Sequence, residues 1–404
     1  MAGYSVTNAL TFFRFQACVE TLRQEDNYSG KIVLISAESD TPYDRPKLSK
    51  AMGAAASALR PTAFYNDADI ELKLNHMVSK VDINSKEIKF EGGESSLNYD
   101  KLIIASGSSP RTLDVPGGEA NNIFVLRTPS DGSAIVEHAK DGNVVILGTS
   151  FIGMEVASSL VGKAASVTVI GNSSVPFKRS LGETFGKFFM DLHESKGVRF
   201  EMGAGIKEFV VSSDSGKATE VILSNGNTLT ADVVVLGIGV TPNSNFLDGS
   251  QIDLTDRGFV SVNEFMETSV DNVYAIGDIA SFPLHIADGR SAAIGHWQLA
   301  HAHGRNAALN ISGKKTPFKS VPFFWTMQFG KSVRYAGYAP DFDDIVVVGE
   351  PSEGAFAAYY TKGEDVLAIG TIGKDPLAAD FANLLQSGGR LKKSEVKEDW
   401  KSKL

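Results

Sequence analysis

NVVILGTSFIGMEVASSLVG, residues 143–162, reads as a strand, a glycine loop and a helix in succession. Val144 to Leu147 form a short apolar run, Gly148 and Gly153 frame a tight turn, and Phe151 to Leu160 carry apolar residues at helical spacing until Gly162 stops the pattern. A second strand at Ser166 to Ile170 completes a compact βαβ unit. Such a turn aims backbone N–H groups and the positive end of a helix at a pyrophosphate. The middle glycine of the Gly-x-Gly-x-x-Gly pattern is replaced by Ser150, which crowds the backbone's approach to phosphate slightly. Gly148, Ser150 and Gly153 are candidate dinucleotide contacts, although a ligand-free βαβ crossover would share the pattern.

The chain has 404 residues, 43% of them hydrophobic and 22% charged, enough to bury two or three cores. A net charge of -9 and a pI near 5.4 argue against nucleic-acid or anionic-membrane binding, which needs a basic face. No uninterrupted apolar run reaches about 18 residues, so no membrane span is expected. The one cysteine, Cys18, leaves the chain without an intramolecular disulfide, a Cys-x-x-Cys pair or a thiolate cluster site. Redox chemistry would therefore need a bound organic cofactor. Cys18 itself reads as a small buried hydrophobe.

Upstream, Phe15 to Gln24 is helix-like and Lys31 to Ile35 is a strand running into Ser36-Ala37-Glu38, the second half of another βαβ unit. An acid placed just after a second strand commonly bonds a ribose hydroxyl, which makes Glu38 either an adenosine ligand or a solvated loop carboxylate. What should precede the helix is missing: Met1 to Arg14 supply one glycine, Gly3, and no clear strand.

A duplicated plan supports two nucleotide folds. Glu87 to Tyr99 reads as a hairpin turning near Gly92-Gly93 and leading to the strand Leu102 to Ala105; Glu220 to Leu229, turning at Asn225-Gly226, leads likewise to Val233 to Gly239. Each copy ends in a small-residue loop with proline, holding Ser106 and Gly107 in one and Gly239 in the other, where chain can pass close to a dinucleotide or simply turn. The run Asn272 to Asp278 then puts a carboxylate at the carboxyl end of a buried strand, so Asp278 is a candidate for a ribityl or ribose hydroxyl, or a helix cap.

Four stretches carry a family resemblance: Thr41 to Lys50 (TPYDRPKLSK), the loop at Gly148, Tyr274 to Asp278 (YAIGD), and His296 to Gly304 (HWQLAHAHG), continued by Phe323 to Tyr338. Together they resemble the pyridine-nucleotide-dependent flavoproteins that include apoptosis-inducing factor and the oxygenase-coupled ferredoxin reductases, with the Rieske-domain-bearing, apoptosis-inducing-factor-like branch nearest. The likeness runs from Gln16 to about Trp400. It implies an α/β fold of glutathione-reductase-like architecture, with two Rossmann-like dinucleotide-binding domains plus a C-terminal α+β domain. Residues 1–115 and 243–320 would form the FAD-binding domain, 116–242 the NAD(P)-binding domain and 321–404 the C-terminal domain.

The resemblance also implies roles. Arg45 and Lys50 would lie by FAD, Glu38 by its adenosine ribose, and Asp278 by its ribityl and pyrophosphate region. Lys50 and Glu155 would form an ion pair beside the flavin, setting its potential without moving protons. Trp297 would start a helix whose positive end faces the flavin's pyrimidine edge, and Trp325 would help wall the ring. The residue types alone leave Arg45 and Lys50 readable as solvated charges, and both tryptophans as core. His296, His301 and His303 are helix-spaced, and no metal site is expected of them.

Three departures stand out. The FAD fingerprint before the first helix is absent, as though the chain were shortened or its start misassigned, and with it go the backbone donors that hold the pyrophosphate. No Rieske cluster ligands are present, so an external electron acceptor is needed. After Ile170 the acid that would select a free 2′-hydroxyl is replaced by Gly171-Asn172, with Lys178 and Arg179 a few residues on as 2′-phosphate contacts or surface charges.

The function so implied is hydride transfer from NADH or NADPH to FAD, followed by delivery of electrons to an acceptor protein or a small one-electron acceptor. Two alternatives stay open, a monodehydroascorbate reductase-like enzyme and a non-catalytic, apoptosis-inducing-factor-like interaction protein. Ser402-Lys403-Leu404 at the C-terminus is a receptor-read peroxisomal address, so the import receptor is an expected partner and the peroxisome the expected location, ahead of cytoplasmic or mitochondrial placement. A second copy of the chain, as a homodimer, completes the expected partners.

Overall fold

The computed structural model describes residues 4–8, 12–25, 28–93 and 95–396; the tripeptide Ser402-Lys403-Leu404 lies outside them, as do residues 9–11. The chain divides into two compact units. Met1–Asp44, Ala56–Ser109 and Thr241–Phe324 make the first, and Arg45–Ala55, Pro110–Val240 and Trp325–Leu404 the second.

The first unit is built on five parallel strands in the order Val273–Ala275, Lys101–Ile104, Tyr4–Asn8, Lys31–Ile35, Ile70–Lys73. Ile32 to Ile35 and Leu102 to Ile104 are buried on successive residues, as continuous β-branched and leucine runs must be when both faces of a parallel sheet are covered. Tyr4–Asn8 corrects the expectation that residues 1–14 hold no clear strand. It occupies the centre of the sheet, with Tyr4 paired to Lys31 on one side and Ser5 to Lys101 on the other. Five residues of mixed polarity give no apolar run to read, and ladders to two distant strands decide the conformation. The helices Phe12–Glu20 and Trp297–Ile311 pack against each other. The first expected hairpin is present, Glu87–Phe90 pairing antiparallel with Leu97–Asn98.

In the second unit five parallel strands run in the order Val198–Met202, Ser166–Gly171, Asn143–Leu147, Val233–Leu236, Ile123–Val125. The expected strand–loop–helix is there: Asn143–Leu147, then the helix Phe151–Leu160 with Ser150 at its N-cap. The second hairpin is also present, Ala218–Leu223 against Thr228–Thr230. A five-stranded sheet follows in the order Phe323–Gln328, Lys331–Gly337, Asp365–Ile372, Ala355–Lys362, Asp344–Glu350, with the helix Leu377–Gln386 on it. The helix Lys178–Glu194 ties that sheet to the parallel one. At Gly182, where φ is 81°, the helix kinks; a Cβ there would stand 2.3 Å from Ile345 Cδ1, and the Tyr360 hydroxyl donates to Leu181 O at 2.9 Å.

Candidate functional site

The glycine loop of the second unit is fixed by close backbone approach. Gly148 has φ 126°, and a Cβ on it would lie 2.3 Å from Gly237 O; a Cβ on Gly153 would lie 2.0 Å from Gly148 O. Neither position admits a side chain. Such a cradle, open at the carboxyl end of a parallel sheet and leading into a helix, fits a dinucleotide pyrophosphate. Ser150 adopts extended backbone at the N-cap with an exposed side chain and makes no side-chain capping bond. Gly239, at φ 97°, shapes the loop after Val233–Leu236 and its carbonyl accepts from Arg111 N at 3.0 Å.

One turn into that helix, Glu155 is buried, with 4% of its surface exposed. Its carboxylate collects three donors. Lys50 Nζ stands 2.8 Å from Oε1, Thr326 Oγ1 donates to Oε1 at 2.6 Å, and Ser49 Oγ donates to Oε2. Lys50 and Ser49 come from the short helix Lys47–Lys50, and Thr326 from the strand Phe323–Gln328. Three segments far apart in the chain thus converge on one carboxylate. A carboxylate taken from water must have its lone pairs met by donors and its charge met by a cation, and here both conditions hold. Lys50 Nζ also stands 5.6 Å from the centroid of the Trp325 ring, which is 42% exposed. Trp325 is therefore a surface-facing ring beside a cation, not a core residue.

The segment carrying Lys50 is anchored within its unit. Arg45 Nη1 donates to Arg127 O, and Lys163 Nζ donates to Met52 O at 3.3 Å. Arg45 is thereby held, half-buried, by a backbone carbonyl, and does not hang free as a solvated charge.

In the first unit, Glu38 follows the strand Lys31–Ile35. Its backbone N–H donates to Ser36 Oγ at 2.9 Å and its carboxylate accepts from the Tyr43 hydroxyl at 2.8 Å. Ser106 and Gly107 are clasped by Asn243: Ser106 Oγ donates to Asn243 O at 2.6 Å, Asn243 Nδ2 donates to Ser106 O at 3.1 Å, and Asn243 N donates to Gly107 O at 3.0 Å. Gly107, at φ 66°, takes the left-handed turn this clasp requires. Asp278 sits in the single turn Gly277–Ile279, and its carboxylate lies over Gly295, where an added Cβ would be 3.2 Å from Asp278 Cγ. The next residue, His296, occupies the N-cap position of the helix Trp297–Ile311. The structure thus brings Asp278 to the N-terminus that Trp297 opens, and Trp297 is 37% exposed. From inside the same helix, buried His303 accepts the Gly277 N–H at Nδ1, 3.1 Å.

The donor chemistry of FAD's hydroxyls is compatible with the carboxylates of Glu38, after its strand, and Asp278, over Gly295. Between Tyr4–Asn8 and Phe12–Glu20 the connection is Ala9-Leu10-Thr11, with no glycine, and those three residues lie outside the described ones.

Sequence reasoning missed Ser49, Thr326, Asn243 and the His303 contact. Ser49 adjoins a singled-out lysine and Thr326 a singled-out tryptophan, so adjacency to a charged or aromatic candidate was the available signal. Cys18 is fully buried, and burial pushes its thiol well above the ordinary range, so it is inert. Among the described residues no group of three or more His, Cys, Asp or Glu side chains could hold a metal, and no helix is long and apolar enough to cross a membrane.

Comparison with known proteins gives the site a family. Residues 16–304 match the model of the pyridine nucleotide-disulphide oxidoreductases, and residues 323–402 match the reductase C-terminal domain. Human apoptosis-inducing factor 3 is 43% identical over 401 residues, covering 98% of this chain; the chain spans 66% of that protein's length. Peroxisomal monodehydroascorbate reductase 4 of Arabidopsis thaliana is 33% identical over 358 residues, 82% of this chain and 72% of that protein. The solved covalent complex of putidaredoxin reductase with putidaredoxin superposes with a TM-score of 0.90 at 27% identity, covering 96% of this chain and 94% of the other. With the family model matched over most of its length, the chain belongs to the pyridine nucleotide-disulphide oxidoreductase family.

Proposed function

We propose that this chain is an FAD-dependent NAD(P)H oxidoreductase that delivers electrons to an acceptor protein of ferredoxin type. The observation that carries this reading is the buried Lys50–Glu155 pair, set one turn into the helix of the glycine loop and braced by Ser49 and Thr326. Under this reading residues 1–115 and 243–320 bind FAD, 116–242 bind the nicotinamide cofactor, and 321–404 close over the ring. FAD would be held by Glu38, Arg45, Lys50, Ser106, Gly107, Asp278, Trp297 and Trp325, and the nicotinamide cofactor by Gly148, Ser150, Gly153, Glu155 and Gly239. Bound FAD would supply the exchange between a two-electron hydride donor and single-electron acceptors.

What the chain's own residues do is position and polarise. The Phe151–Leu160 helix presents its N–H groups to pyrophosphate. Lys50, fixed by Glu155, offers a cation whose location does not depend on solvent. Trp325 is a planar wall beside that cation. With Cys18 as the one cysteine of this sequence, no dithiol within it can take both electrons, despite the family's name, and they must pass to an acceptor of another kind. The similarity to a reductase solved with its redox partner supports a protein acceptor. The test is steady-state turnover with NADH or NADPH and a set of acceptors: a purified ferredoxin, ferricyanide and oxygen. Turnover with the one-electron acceptors supports the reading, and consumption of neither nucleotide with any acceptor rejects it.

A second reading, monodehydroascorbate reduction in the peroxisome, is favoured by the similarity to a peroxisomal enzyme of that name together with Ser402-Lys403-Leu404. Peroxisomal import of a tagged chain that survives deletion of the tripeptide would reject the address, and failure to oxidise NADH in the presence of monodehydroascorbate radical would reject the substrate.

A further inference from the structure

We infer that the adenosine end of the nicotinamide site accepts a 2′-phosphate, with Arg179 as its counter-charge, so that NADPH is a substrate of the chain. The inference deepens the reductase reading and rests on it. In a dinucleotide fold the residue closing the second strand, about 20 residues past the glycine loop, meets the ribose 2′ position; an acid there accepts from a free hydroxyl and repels a phosphate. Here the strand Ser166–Gly171 closes on Gly171, followed by Asn172, Ser173 and Ser174, so no carboxylate stands at this place.

The geometry brings this end of the strand to the glycine loop. Gly148 N donates to Ile170 O at 2.9 Å, and a Cβ on Gly171 would lie 2.4 Å from Thr149 Cγ2, so the Thr149 side chain lies directly over Gly171. The segment then folds back. Phe177 N donates to Thr149 O at 2.9 Å, Phe177 takes φ 56°, and its buried ring stands 5.2 Å from that of Phe151. The loop from Gly171 to Phe177 is therefore closed at both ends on Thr149, and Lys178 and Arg179, the first two residues of the helix Lys178–Glu194, follow directly on a residue bonded to the dinucleotide loop.

The two cations differ. Lys178 is engaged, 2.6 Å from Glu183 Oε1 and 3.1 Å from Ser174 Oγ. Arg179 is exposed, with no ion-pair or hydrogen-bond partner among the described residues. A guanidinium presents a planar fork of donors that matches phosphate oxygens. Asn172 and Ser174 add neutral polar groups at the same rim, and neither repels an anion.

The test separates this inference from the reading beneath it. Titrate the purified chain calorimetrically with adenosine 2′,5′-bisphosphate and with 5′-AMP, ligands that need no flavin reduction. The bisphosphate should bind ~10-fold tighter or better, a difference of about 1.4 kcal/mol. Arg179→Ala should erase that preference while leaving 5′-AMP within about twofold, Arg179→Lys should keep most of it, and Asn172→Asp should reverse it. Equal binding of the two nucleotides, or an Arg179→Ala variant that weakens both alike, overturns the inference and leaves the reductase reading standing. Binding of neither nucleotide overturns both.

Discussion

The Lys50 ammonium stands 2.8 Å from the Glu155 carboxylate, with 20% and 4% of the two side chains exposed. The pair is largely withdrawn from solvent, so each charge depends on the other. Replacing Lys50 with Met should leave Glu155 with two hydroxyl donors and no counter-charge. The expected costs are about 2–4 kcal/mol of stability and a slowed or altered reduction of bound flavin by NADH. Denaturant unfolding and stopped-flow reduction measure the two effects. Unchanged kinetics in Lys50→Met would remove it from the site.

Thr326→Val keeps the shape of the side chain and deletes the hydroxyl that donates to Glu155 Oε1 at 2.6 Å. A hydrogen bond to a charged group contributes about 1.5–3 kcal/mol, so a loss in that range is expected. Because Thr326 and Lys50 share one oxygen, their effects should not add. A double-mutant cycle returning a coupling energy near zero would contradict the convergence of the two groups on Glu155.

Gly153→Ala must move backbone, since the new Cβ would fall 2.0 Å from Gly148 O. We expect a loss of at least about 2 kcal/mol together with weakened nucleotide binding. Gly162→Ala is the contrast: its Cβ would meet nothing within 4 Å, although φ is 80°, so the cost should be backbone strain of about 1–2 kcal/mol with nucleotide binding kept. Equal nucleotide affinity in Gly153→Ala and the unaltered chain would argue against the cradle.

Buried His193 lies between two backbone carbonyls, Phe189 O at 2.7 Å and Met154 O at 3.2 Å, and burial lowers its pKa below the ordinary 6.5. The unfolded chain therefore binds this proton more readily than the folded one. Stability from this group is complete above about pH 6.5 and falls as pH drops below it, by up to about 1.4 kcal/mol per pH unit. Melting temperature followed from pH 8 to pH 5 should show that decline in the unaltered chain and a shallower one in His193→Gln. Parallel curves would exclude His193 as its source.

Local signals carried much of the fold into view. The strand Lys31–Ile35 and the unit Asn143–Gly171 were legible because apolar runs, glycines and helical spacing all act within a few residues. Tyr4–Asn8 was not, because its conformation is decided by ladders to Lys31–Ile35 and Lys101–Ile104, and its own composition gives no apolar run. The site divides the same way. Gly148 and Gly153 are read from one turn, whereas Thr326 meets Glu155 only through the placement of a strand far along the chain, and a lone threonine gives no notice of that. Asn243 likewise clasps Ser106 and Gly107 across a long insertion. Nothing in the spacing of residues anticipates it.

Transfer of electrons from a nicotinamide cofactor onto FAD in this chain is read out by anaerobic titration followed in the visible spectrum. The purified chain, supplied with FAD and freed of excess, should be yellow, and both NADH and NADPH should bleach its visible flavin absorbance. A chain that stays colourless after incubation with FAD, or a yellow one that neither nucleotide bleaches, would rule out that transfer.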